Sequence, residues 1–346
     1  MRSVTGTVGV MEWTADVAAG AWIRDRIDDP WRGTMHDVVP RGFPFYTRVF
    51  HGTTRSRPVE GEWPPLPHDK NRRAWEDFVR RQVEIETTAA RWADAAQSFG
   101  TEMHGGAQWG SLVRARGRDW DPNAWQQAQS ADGWQFDAPQ EGQLDAAALS
   151  AVAGVAAAHT TTPDDGFVAL WEGWGGLVGA MGYGPSRVLL TAVNEPDAAD
   201  AQAGHHLEFL ARSTRDVFND VFRRPTWQPG ILSEEISRGP RLSLPNRDFV
   251  LFCTAMSELA DPDWVRTVPW RDRVGDDHGF PPRAESPSIV WPADRAWVMV
   301  SEVDWDSTIV AGSSELQHAL CTDPRLEALG IREGASLQWD ADEVNR

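Results

Sequence analysis

The segment FVALWEGWGGL, residues 167 to 177, sets Glu172 between two indoles, Trp171 and Trp174. Strand alternation separates Glu172 from Trp171, and the glycines that follow let the backbone bend beneath Trp174. A carboxyl group framed by two indoles could be a desolvated acid with a raised pKa, the kind that glycosidases use, with the rings as a stacking platform. The same letters suit a surface glutamate between two core tryptophans. A second acidic run, Glu302, Asp304 and Asp306 in SEVDWDS, has the alternate spacing that projects carboxylates to one side of an ideal strand, as metal and paired-acid sites need. A turn over residues 304–307 would break that register, because Asp and Ser side chains bond their own backbone there. The turn is the reading carried forward.

Two histidines end helical patterns, His104 in TEMHGGAQWGSL and His159 in AAAHTTTP, where the helix dipole favours a cation. Both are candidates to join Trp171 and Trp174 as binding groups around Glu172. His205 and His206 are adjacent and point to different sides of a helix, and His278 in DDHG is a loop histidine beside two acids. HExxH spacing is absent, so no metal site is expected, and no cofactor. Gly175, Gly176, Gly179, Gly182 and Gly184 follow a strand as phosphate-cradling glycines do, but they fit neither GxGxxG nor GxxxxGK and read as a surface loop. Cys253 and Cys321 lie in apolar text and read as buried free thiols without a disulfide framework. Lys70 is the single lysine and sits in the polar segment PLPHDKNRR. A Walker-type phosphate loop, a kinase-type lysine and a pyridoxal Schiff base each need a lysine in a different setting.

Fifty-one acids against 33 bases leave a formal charge of −18, which repels nucleic-acid phosphates and anionic lipid surfaces. The acids concentrate from Ser301 onward, either as a solvated face or as a surface matched to a basic protein partner. No stretch of 18 apolar residues occurs, and the first residues carry no signal-peptide core, so a cytoplasmic protein with no membrane span is expected. Several of the 19 tryptophans stand in polar text, including Trp120, Trp125, Trp134 and Trp339. Those either pin loops to the core or belong to a recognition surface.

The elements that must position these groups are uneven in length and order. The spacing predicts an amphipathic helix over 12–27, a strand in GFPFYTRVFH, a loop over 52–70, a long helix over 71–99 and another over 145–159. FVALW and SRVLLTAV read as strands, HHLEFLARSTRDVFNDVFRR as a helix, and LSLPNRDFVLFCTAM as a hairpin turning at Pro245 and Asn246. SIVW and residues 295–303 form a strand pair around Pro292 and Asp294. Thr308–Ala311 returns after the acidic turn, and Ser314 with Gln317 caps the following helix. The mixture implies an α+β fold with a largely antiparallel mixed sheet and packed helices.

Five segments, VPRGFPFYTRVFH, QWGSL, HTTTPDDGFVALWEGWG, LSLPNRDFVLFCTA and the long block from WPADRAW through DWDSTIVAGS to EAL, together resemble a group of uncharacterised actinobacterial proteins with no established activity. The resemblance implies a bacterial cytosolic origin and a single elaborated domain over 1–346, with 71–99 and 195–235 as helical additions. It carries no catalytic residue to any position. Two functions are weighed: a non-catalytic, acidic, tryptophan-rich protein that binds another protein, immunity-like or antitoxin-like by analogy, and a hydrolase acting on a small or glycosidic substrate through Glu172. Oligomeric state is not legible.

Overall fold

A computed structural model describes residues 11–114, 126–182, 225–245, 247–277 and 279–345. Its strands are β1 (Glu12–Trp13), β2 (Phe45–Phe50), β3 (Thr53–Pro58), β4 (Ile85–Ala90), β5 (Gln127–Gln129), β6 (Gln135–Asp137), β7 (Gly166–Trp171), β8 (Ala180–Gly182) and β9 (Thr226–Gln228). They continue as β10 (Leu242–Leu244), β11 (Arg247–Thr254), β12 (Ile289–Pro292), β13 (Val298–Val300), β14 (Ser307–Gly312) and β15 (Ala328–Ile331). The protein is α+β. Its main sheet runs β1-β11-β7-β12-β13-β14-β2-β15, with β10 paired to β11, and each of these pairings is antiparallel.

The central strands are apolar throughout because both faces of this sheet are covered. Val168, Leu170, Val250, Phe252 and Met299 pack beneath the helices Ala146–Ala157, Met256–Ala260 and Ser314–Thr322. Ala169, Leu251, Ile289, Val298 and Val300 face the other way, against Trp22, Ile23, Met35 and Val39. The helix Ala146–Ala157 starts where Asp145 accepts the Ala148 N–H, and its nearly all-apolar composition suits its burial. The hairpin β10–β11 turns at Pro245 as its sequence implies, and Asp294 makes the tight turn between β12 and β13.

A second sheet, β4-β3-β6-β5, joins the end of β2 through a cluster of Phe50, Trp92, Trp109 and Phe136. This sheet overturns two sequence expectations. Residues 71–99 are two helices, Arg72–Arg80 and Trp92–Phe99, with β4 between them. Residues 52–70 contain β3, which pairs with β4 over six residues. The helical spacing across 71–99 arose because each half satisfies it separately. Gln82 adopts φ +48, a left-handed conformation that ends the first helix, and the β-branched stretch IETTAA then finds its partner in TTRSRP.

Residues 12–27 also depart from one amphipathic helix. They form β1, a tight turn at Val17–Gly20 capped by Asp16, and the four-residue helix Ala21–Arg24. Trp13 is drawn into register with Phe252, and Gly20 passes so close to Leu242 that an added Cβ would lie 2.5 Å from its side chain. The cap of Ser314–Thr322 is Ser313, which accepts the Leu316 N–H, and Gln317 instead donates to the Tyr46 carbonyl. Cys321 is exposed and Cys253 half-buried, so neither is the buried thiol that the apolar text implies. The strand expected in SRVLLTAV, the helix at 205–224, most of the 195–235 addition, and Trp120, Trp125, Gly184, His205, His206, Asn246 and His278 lie outside the described residues.

Candidate functional site

Glu172 follows the last residue of β7, and its N–H donates to the Asp248 carbonyl, which keeps the strand edge paired one residue further. Its carboxylate accepts from Arg241 Nε at 2.7 Å. Arg241 spends its remaining donors on the carbonyls of Ile236, Ser237 and Gly239 at the end of the helix Glu234–Arg238. A helix C-terminus leaves carbonyls without intrahelical partners, so a guanidinium held in place by a carboxylate completes it. Glu172 therefore anchors a helix end.

Trp171 and Trp174 meet edge to face with centroids 5.5 Å apart. Gly173 permits this fold-back: an added Cβ there would lie 2.1 Å from the Trp171 ring. The two rings serve different layers, Trp171 packing with the N-terminal side of the sheet and Trp174 with the helical side. Over Trp171, at 4.9 Å from its centroid, lies the guanidinium of Arg247.

Arg247 brings the two acidic motifs into one corner. It begins β11, crosses the ends of β7 and β12, and donates to Glu302 and to Asp304 Oδ2, the latter at 2.7 Å. Glu302 is 6% exposed, whereas the Asp304 side chain is open to solvent. Burial pushes the Glu302 carboxyl above its ordinary value, against the opposing pull of Arg247. Beside it runs a narrow cleft lined by Ile27, Val38, Leu244, Phe249 and Val300. Glu141 also titrates above its ordinary value, through burial and the neighbouring charges of Asp306 and Asp304. The turn falls over residues 302–305, two earlier than the expected 304–307: the Trp305 N–H donates to the Glu302 carbonyl, and β14 already starts at Ser307. Glu302, Asp304 and Asp306 therefore do not share a strand face.

Asp306 pairs instead with Arg48 of β2 at 3.1 Å. Arg48 is 0% exposed and donates to Ser307 Oγ, to the Ala107 carbonyl and to Asp306. It also stacks on Phe50 and Trp92 at 4.8 and 5.3 Å. On the opposite face His51 is buried between the Gln140 carbonyl and Thr308 Oγ1, which continues to Ser301 Oγ at 2.6 Å. Burial holds the His51 imidazole below its ordinary pKa, against the opposing pull of its Gln140 hydrogen bond.

The remaining predicted groups are placed apart. His104 Nε2 lies 3.1 Å from Asp342 Oδ1 while its Nδ1 accepts the Gly106 N–H, so the ring donates to the carboxylate. His159 follows its helix and sits in the field of Glu315. No hydrogen bond or ion pair joins Glu172, His104 and His159 to one another among the described residues. Among those residues, too, no group of three or more His, Cys, Asp or Glu is placed to hold a metal ion. Sequence reasoning missed Arg247, Arg48 and Arg241, because an arginine at a strand end carries no spacing signal until its acidic partners are known.

Trp339, one of the tryptophans in polar text, is 73% exposed. It stands in a turn closed by the Ala341 N–H to the Gln338 carbonyl at 2.9 Å. Leu337 is buried on one side of it and Asp342 on the other. Asp342 accepts from the backbone of Gln108, Val344 and Asn345 and from the Asn345 side chain. No family model matches the chain, and neither a curated protein nor a solved structure is significantly similar to it.

Proposed function

We propose that the protein is a non-catalytic, acidic, tryptophan-rich binding protein of the bacterial cytosol, and that it engages a basic protein through the surface around Trp339. The observation that carries this reading is a large indole held out to solvent by two buried flanks. An exposed aromatic on a fixed turn loses little conformational freedom on binding, and tryptophan is enriched among residues that dominate interface energies. Asp340, Glu343 and Val344, all exposed, follow it within five residues, giving an apolar anchor with acids beside it in the chain. Such acids steer a cationic partner and speed its association. An immunity-like or antitoxin-like protein, whose acidic surface covers a basic site, would use this arrangement.

The rival reading, a hydrolase with Glu172 as acid or base, draws less support, since Arg241 occupies that carboxylate and the two indoles beside it are half-buried in different layers. Capture from the native lysate separates the readings. The wild-type chain should retain a basic partner that is released at high salt, and Trp339→Ala should lose it with an unchanged melting temperature. Retention indifferent to both salt and Trp339 would overturn the binding surface.

A further inference from the structure

One face of the small sheet gathers cations and unspent donors on a molecule of net charge −18. Arg55 and Arg57 lie two apart on β3 and so project to the same side. Register places Arg55 opposite Phe136 of β6 and opposite Thr88 of β4, and Arg57 opposite Glu86. Trp134, two residues before Phe136, shares that face. Both guanidiniums lie 4.5 Å from the centroid of its ring.

The two arginines differ in how their charge is met. Arg57 Nε donates to Glu86 Oε2 at 2.7 Å. Among the described residues Arg55 has no carboxylate partner, and its Nε is buried without an acceptor. The residue directly across from it repeats the pattern: Thr88 Oγ1 is also buried without a partner. Opposed side chains on neighbouring antiparallel strands stand about 5 Å apart at Cβ, so the two unsatisfied groups are neighbours. Leaving a buried donor unmet is unfavourable, and one external acceptor between Arg55 and Thr88 would meet both. Two guanidiniums on one indole, with Glu86 the single counter-charge among the described residues, also leave one positive charge unbalanced.

We infer that Arg55, Arg57, Thr88 and Trp134 form a binding site for an oxyanion, a carboxylate or phosphate group. Arg55 supplies Nε–H and its guanidinium edge, Thr88 a hydroxyl donor, and Arg57 the second positive charge. Trp134 fixes both guanidiniums by stacking, which pre-organises them for a planar or tetrahedral anion.

The test titrates inorganic phosphate and, separately, acetate into the full chain against sodium chloride at matched ionic strength, read by thermal unfolding. One anion or both should raise the midpoint with saturation in the millimolar range, and the larger response identifies phosphate or carboxylate as the ligand group. Arg55→Gln should weaken the response roughly tenfold or more, as expected for loss of charge-assisted hydrogen bonds. Thr88→Val, which removes only the hydroxyl, should weaken it by a smaller factor and keeps the test open if Arg55→Gln does not fold. No saturable response in the wild type, or the same response in the wild type and in both variants, overturns the site.

Discussion

At the scale of single residues, most acids among the described residues are committed to internal partners. Asp294 shows it clearly: burial alone would raise its pKa, but hydrogen bonds from the Thr161 hydroxyl and N–H, the Ala296 N–H and the Thr160 hydroxyl bring it down to about 2. It thereby ties the turn after β12 to the segment that follows the helix Ala146–Ala157. A depressed carboxyl contributes stability that is present above its unfolded value and lost as pH falls through the folded one. Asp294→Asn should therefore cost about 1 kcal/mol at neutral pH, allowing for its exposure, and the cost should vanish between pH 4 and pH 2 in acid-unfolding curves. Glu302 has the opposite sign. Its carboxyl is raised from 4.5, so the native state favours the proton, and its contribution declines as pH rises through the folded value. The stability of Glu302→Gln relative to wild type should improve from pH 4 upward, measured by denaturant unfolding.

At the scale of elements, arginines join strand ends that the sheet does not pair directly. Arg247 spans β7 and β12 to reach the end of β13, so Arg247→Ala leaves Glu302 buried and unpaired. The loss should be about 3 kcal/mol, and Arg247→Ala combined with Glu302→Gln should recover part of it, which a double-mutant cycle would show. Gly142 seats the preceding loop on the acidic turn. It has φ +69, its N–H donates to the Trp305 carbonyl, and an added Cβ would lie 2.6 Å from the Val303 carbonyl oxygen. Gly142→Ala should lower stability by about 2 kcal/mol and increase hydrogen exchange in both segments.

At the scale of the whole molecule, tryptophan occurs in two settings. Trp92, Trp264, Trp270, Trp291 and Trp297 are fully buried and hold the layers together, whereas Trp339 is presented outward. Replacing Trp339 by alanine should change unfolding free energy by no more than ~0.5 kcal/mol, while weakening the proposed binding of a basic protein by about 2 kcal/mol or more in calorimetry. Among the described residues no helix is long and apolar enough to cross a membrane.

Local chemistry made the α+β class, the helix capped by Asp145, the hairpin at Pro245 and the break of register after Glu302 legible in the amino-acid sequence, because each depends on neighbours within a few residues. The division of 71–99 was not legible, since β4 exists only through its pairing with β3. The fate of Glu172 was decided the same way: its partner Arg241 lies 69 positions along the chain. Whether a carboxylate is free for chemistry depends on which distant cation the fold delivers to it, and only tertiary structure sets that distance.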